Sequence, residues 1–227
     1  MTGYQLETPP DPDDIYEARG PDEVAELRNR PLFTGDVLIR EPGIAVCLLQ
    51  HPCAMRRGPQ LLPLLLTGAI VPSEAHRTEW RNHTPTEMPL PGLPGLGSHP
   101  SISFLDLATV DSAGLESAQR VAVLSRLGVN LLMQRWIYHN CRLVVPTITI
   151  DAAVSAQHEE ADLTMECVDE LTATGLEVHR AQQLADSWLD EQRPDGVTIR
   201  HLLVDPQSRS TARRWMRNRV ADYLSDR

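Results

Sequence analysis

Four residues at the end of one apolar run carry side chains that could do chemistry together. In "IAVCLLQHPCAMRRG" (44–58) the apolar stretch gives way to His51, Cys53, Arg56 and Arg57. A histidine titrates near neutrality and can pass a proton. A cysteine becomes nucleophilic when neighbouring cations lower its pKa. Paired guanidinium groups can hold a phosphate and stabilise charge that develops on it. His51, Cys53, Arg56 and Arg57 are therefore the candidate catalytic set, and the reaction they suit is metal-free attack on a phosphodiester. The plainer reading of the same residues is a strand end with a loop, a buried thiol and two solvated arginines.

Other constellations were weighed beside this one. His51-x-Cys53 and His139-x-Cys141 are two H-x-C pairs that could close a Cys₂His₂ zinc site if they met. The spacing is shorter than zinc sites use, and a free cysteine is commonly a small buried hydrophobe, so no metal and no cofactor is expected. Near the C-terminus, Arg213, Arg214 and Arg217 fall on the helix face opposite Trp215, Met216 and Val220 and could meet nucleic acid. The competing reading is an ordinary amphipathic helix whose basic face docks on acidic parts of its own chain or of a partner. The acidic clusters "HEEAD" (158–162) and "LDEQRPD" (189–195) read as solvated helix faces. The sequence holds no P-loop, no dinucleotide fingerprint and no nucleophile elbow.

The elements that position these residues follow from periodicity. "DVLIR" (36–40), "IAVCLLQ" (44–50) and "QLLPLLLTGAIV" (60–71) read as strands, the second buried on both faces because it is continuously apolar. Glu41-Pro42-Gly43 is the turn between the first two, and Pro63 marks an edge or a bulge. Together they suggest a small antiparallel sheet curling into a barrel. "SISFLDLATV" (101–110) is a further strand, and Asp111 or Ser112 can cap a helix over 115–139, with Val121, Leu124, Leu127, Leu131, Leu132 and Trp136 on its buried face. "RLVVPTITI" (142–150) and "VTIRHLLV" (197–204) read as extended. Helices are expected over 155–174, 176–192 and 210–226.

Composition bounds the partners. The chain has 227 residues and a formal net charge of −10, with all 21 basic residues arginine. That balance argues against general adhesion to nucleic acid or anionic membrane. The start "MTGYQLETPPDPDD" has no basic head followed by an apolar run, so cytoplasmic residence with reduced thiols is expected.

"TGDVL", then "PGIAVCLLQ", then "PLLLTGAI", with the later "DLATVDSAGLESAQRVAVLSRLGVNLL", resembles the PemK/MazF family of barrel toxins over roughly 34–136. The resemblance implies an α+β fold: a small SH3-like antiparallel β-barrel with a long embedded helix, often dimeric, followed here by a helical C-terminal region. The organisation expected is an acidic mobile tail with a short helix over 1–30, the barrel over 31–150 with a Pro/Gly-rich loop at 72–100 and the helix at 115–139, and the helical region over 151–227. The family usually cleaves RNA without metal, through an Arg just before the Pro of the second strand and a Ser or Thr at the end of the third. Here Glu41 precedes Pro42, with Arg40 one place early, and Val71 stands at the hydroxyl position between Thr67 and Ser73. Two functions follow. One is a bacterial intracellular protein of toxin–antitoxin or phage-defence type that binds or cleaves RNA, a metal-independent endoribonuclease if catalytic. The other is a non-catalytic interaction module that assembles with a partner encoded nearby. The departures favour the second, and the polar strand tip favours the first.

Overall fold

The computed structural model describes residues 5–41, 43–57, 60–73, 80 and 85–226. Pro42 of the expected turn, Gly58, and the 74–79 and 81–84 parts of the 72–100 loop lie outside the described residues. The chain divides into two units, one of Met1–Glu26, Leu32–Arg57 and Leu61–Ala153, the other of Leu27–Pro31, Gly58–Gln60 and Val154–Arg227.

The first unit is built on a seven-stranded sheet of β1 (Tyr16–Arg19), β2 (Asp36–Glu41), β3 (Ile44–Leu48), β6 (Leu64–Pro72), β7 (Glu87–Pro89), β8 (Pro100–Asp111) and β9 (Gln119–Leu124). Its order is β1-β9-β2-β3-β6-β8-β7, and every pairing is antiparallel. Register shifts interrupt the β1/β9, β2/β3, β2/β9 and β6/β8 ladders, and such bulges add twist that curls the sheet. β1 and β7 remain as edges, so the sheet is an open half-barrel rather than the closed barrel expected. β4 (Arg56–Arg57) and β5 (Gln60–Leu61) form a separate two-stranded sheet.

Both sheet faces are covered, which is why β3 reads as a continuous apolar run. Val37 pairs with Cys47 on one face, and Leu38 with Val46 on the other. The first face packs with Ile102, Phe104 and Leu124 on α4 (Arg126–Cys141); the second packs with Leu48, Met55, Leu65 and Leu115. At Gly68 the bulged β8 backbone comes so close that a Cβ would lie 2.7 Å from the Ser103 carbonyl oxygen. Glycine is required there by contact rather than by dihedral angle.

Part of the N-terminal segment, expected to be a mobile tail, is built into the sheet. Ile15 is wholly buried, β1 pairs with β9, and the carbonyls of Asp14 and Ile15 accept from the Ser125 hydroxyl (2.6 Å) and backbone N–H (2.8 Å). The acidic residues around it face outward; the apolar ones complete the sheet. α1 (Pro21–Glu26) follows β1. The expected 115–139 helix is likewise divided. Asp111 does cap a helix, α3 (Ser112–Glu116), through Gly114 N–H at 3.0 Å, but "VAVL" (121–124) then runs as strand, and Ser125 caps α4.

α4 is buried all round from Gly128 to Arg135. Its polar residues hold other parts of the chain. Asn130 donates to Asp151 at 2.9 Å, and Gln134 donates to Glu7 (3.0 Å) and Val145 O (2.8 Å) while accepting from Glu7 N–H (2.8 Å). The Glu7 carboxylate also accepts from Thr147 N–H at 2.8 Å and from its hydroxyl at 2.5 Å. This tie helps start a helix, α5 (Thr147–Ala173), where 142–150 was expected to be extended.

In the second unit α5 continues and is joined by α6 (Val178–Leu189), α7 (Ile199–Leu202) and α8 (Arg209–Ser225). The core there is Leu163, Val168, Leu171, Ala185, Leu189, Ile199, Met216 and Val220, with Trp188 and Trp215 packed at it. The expected strand at 197–204 is α7, capped by Thr198 through His201 N–H. Among the described residues no helix is long and apolar enough to cross a membrane.

Candidate functional site

The strand tip is held in shape by Gln50, a residue the sequence did not single out. β3 ends at Leu48, and Leu49 N–H still bonds Leu66 O at 2.9 Å. Gln50 then takes over. Its side-chain oxygen accepts from Leu66 N–H at 3.0 Å, its amide nitrogen donates to Ala54 O, and its own carbonyl accepts from the Thr34 hydroxyl. The chain turns into α2 (Pro52–Met55), anchored by Met55, which is buried. Proline at the first helical position suits this start, because its missing N–H would be unpaired anyway.

His51 is the cap of that turn. Its Nδ1 accepts from Cys53 N–H at 3.2 Å. The neutral imidazole therefore carries its proton on Nε2, with Nδ1 engaged. Burial holds the ring below the usual histidine range. Acting as a base would require a free ring nitrogen, and protonating Nδ1 would break the cap. Cys53 is exposed, and its thiol is pushed up, first by burial of part of the side chain, against a weaker opposing backbone hydrogen bond. The thiolate that nucleophilic attack needs is disfavoured. Arg56 is half-buried and engaged within the protein; Arg57 is exposed.

The positions that the family would use differ in exposure. Arg40 is exposed on β2, while Thr67 is wholly buried and its hydroxyl donates to Ala108 O at 3.1 Å.

No three His, Cys, Asp or Glu side chains among the described residues gather as ligands of a metal ion. The two H-x-C pairs do not form one set: His139 Nδ1 sits 3.0 Å from Pro85 O, and its ring stacks on Trp136 with centroids 5.8 Å apart.

The C-terminal arginines split. Arg213 is turned onto its own unit, bonded to Glu159 (3.0 Å) and to Glu166. Arg209 donates to Ser155 (2.8 Å) and Leu203 O (3.0 Å), and Arg219 grips Glu191 through two bonds of 2.8 Å. Arg200 gathers Glu160 and Asp190. Glu159 and Glu160 of "HEEAD", read as solvated, are thus the counter-charges of these arginines. Arg214 and Arg217 alone of the three nucleic-acid candidates remain exposed.

One apolar surface adjoins the tip. Leu66 pairs with Thr109 and Gly68 with Leu107, so Leu64, Leu66 and Leu107 share one sheet face. Leu64 is 56% exposed and Leu107 39%, while Leu105, in the adjacent bulge, is 72% exposed. Exposed leucines grouped on neighbouring strands are the kind of surface that proteins use for contact. Periodicity hides it, because these leucines continue strands that are buried elsewhere. No protein-family model matches the chain, and no curated protein matches its sequence.

Proposed function

We propose that the chain is a non-catalytic interaction module, an SH3-like half-barrel with appended helices that assembles with a partner protein. The carrying observation is His51: its Nδ1 is spent on capping α2, so the histidine of the tip shapes the loop rather than moving protons. The raised Cys53 thiol and the buried Thr67 hydroxyl agree with it. The partner surface in this reading is Leu64, Leu105 and Leu107. RNA cleavage through His51, Cys53, Arg56 and Arg57 is the rival reading, favoured by the exposed guanidinium of Arg57.

Expression in a bacterial host separates them. Wild type is compared with Arg56→Ala/Arg57→Ala for growth and for integrity of total RNA. Intact RNA and normal growth with both chains are expected. Fragmented RNA with wild type, abolished in the double variant, would overturn the module and establish the nuclease. The partner surface is tested by Leu107→Asp, expected to weaken a complex with the neighbouring gene's product at least tenfold, since burial of a leucine contributes about 1.5–3 kcal/mol.

A further inference from the structure

β8 outruns one of its two neighbours. On one side β6 runs beside it, from Pro72 opposite Pro100 to Leu64 opposite Asp111. On the other side β7 covers Ser101 to Ser103, and Thr86 O accepts from Phe104 N–H at 2.8 Å. The Pro85 carbonyl then lies 3.0 Å from His139 Nδ1 on α4, so the chain before β7 has left the strand. The direction of the remaining backbone groups of β8 follows from their neighbours. Leu66 directs its N–H to the Gln50 side-chain oxygen (3.0 Å) and its C=O to Leu49 N–H (2.9 Å), both on the β3 side. Backbone groups alternate in direction along a strand, so Leu65 and Thr67 face β8 and meet Val110 and Ala108. The Ser112 N–H bond to Pro63 O (3.0 Å) keeps the same alternation. Leu107 and Thr109 therefore turn their N–H and C=O away from β6. Neither has a hydrogen-bond partner on that outer side among the described residues, and all of residues 105–109 are exposed. The open edge is bounded: Leu105 and Asp106 N–H donate to Ser103 Oγ (3.2 and 3.1 Å) at one end, and α3 begins at Ser112 at the other.

We propose that the outer edge of β8 takes up an added strand from a partner protein, an extended segment of alternating apolar residues that carries Arg or Lys. The proposal rests on the interaction module above and deepens it by naming how the partner is held. Leu107 and Thr109 together offer two donors and two acceptors at alternate positions, which is the pattern an incoming strand pairs with. Sheets ordinarily cover, charge or shorten such an edge. Partner residues opposite Leu107 and Thr109 would lay their side chains on the face that holds Leu64 and Leu66, so apolar side chains fit there. Charge decides between a foreign strand and a second copy of this chain. Asp106, Asp111 and Glu116 are exposed, and residues 100–118 contain no Arg, Lys or His. A second copy would bring the same acidic strand, and like charges on facing strands repel. A basic segment complements it.

The probe is a blocked, fluorescently labelled seven-residue peptide of alternating valine and arginine, titrated with the full chain and followed by anisotropy. Saturable binding that weakens with salt is expected, and the same peptide with glutamate for arginine is expected not to bind. N-methylation of the valines, whose N–H would face β8, should abolish binding. N-methylation of the arginines, whose N–H would face away, should leave it. Thr109→Pro removes an N–H on the outer side and spares the β6 ladder, and is expected to weaken the peptide about fivefold. Should Thr109→Pro fail to fold, the two methylated peptides still give the comparison on wild type. No saturable binding, or equal binding of both methylated peptides, would overturn the added strand. Self-association of the chain that the peptide competes away would overturn the foreign partner in favour of a second copy. The expression experiment above decides the interaction reading separately: fragmented RNA would sink that reading, whereas intact RNA together with no peptide binding would sink only the added strand.

Discussion

Replacing Gly128 by alanine tests whether the N-terminal segment is part of the fold. Gly128 lies in the first turn of α4, where alanine is favoured over glycine by about 1 kcal/mol. If residues 5–19 were a loose tail, Gly128→Ala would stabilise the protein by that amount. In the structure a Cβ there would lie 2.2 Å from the Ile15 carbonyl oxygen and 3.1 Å from the Leu124 Cβ. The obstacle is backbone, so the segment must retreat by roughly 1 Å or more to restore ordinary contact. That retreat breaks the Ser125 N–H bond to Ile15 O (2.8 Å) and strains the Ser125 hydroxyl bond to Asp14 O (2.6 Å), together about 1–2 kcal/mol. It also loosens the wholly buried Ile15, whose burial contributes about 1.5–3 kcal/mol. Set against the helix gain, the net is a loss of about 1.5–4 kcal/mol. Urea denaturation of wild type and Gly128→Ala measures it. The same substitution in a chain lacking residues 1–15 should recover the favourable sign. A stabilised full-length Gly128→Ala would refute the packing argument.

Asp36→Ala should cost about 3 kcal/mol, because it removes the wholly buried carboxylate bonded at 3.0 Å to the half-buried Arg120; chemical denaturation checks it. His51 has a folded-state pKa below its ordinary 6.5, so its contribution is complete above that pH and is lost as pH falls below it. The protection of the Cys53 amide, relative to its intrinsic exchange rate, should therefore fall as pH drops below 6.5 in wild type, with no such step in His51→Asn. Arg213→Gln should destabilise the second unit by about 1 kcal/mol, diminishing in high salt, whereas exposed Arg214→Gln should stay within about 0.5 kcal/mol; paired thermal melts compare them.

Where one face of an element carries all the apolar residues, the sequence was legible. α6 and α8 show it: Ala181, Ala185, Trp188 and Leu189, then Ala212, Met216 and Val220, recur at helical spacing within the expected helices and are residues that pack. The both-face burial of β3 was legible for the same reason, as an apolar run with no polar alternation. The division at 119–124 was not. Val121, Leu124, Leu127 and Leu131 satisfy a helical period even though the first two lie in β9. What selects strand there is pairing with β2 and with a β1 more than a hundred residues away, and no local pattern records that. At the tip, residue types pointed to His51 and Cys53, but their state depends on which nitrogen meets which N–H. The role of Gln50 in holding the tip was not legible, because it rests on which backbone groups its amide meets.

The pairing of the first strand with the last sets an order of events during synthesis. Asp14 and its partner Ser125 are separated by 111 residues. At a synthesis rate of about 5–20 residues per second the N-terminal segment waits roughly 5–20 s after emerging before β9 and α4 exist to receive it. Until then β2 has no neighbour on that side of the sheet. A segment that must wait so long is safest when it is reluctant to stick to anything else. The acidic, proline-rich composition around Ile15 meets that need: charge keeps neighbouring chains apart, and proline denies strand partners a donor. The residues that make this segment look like a tail are those that let a late-closing edge strand stay soluble until its place is built.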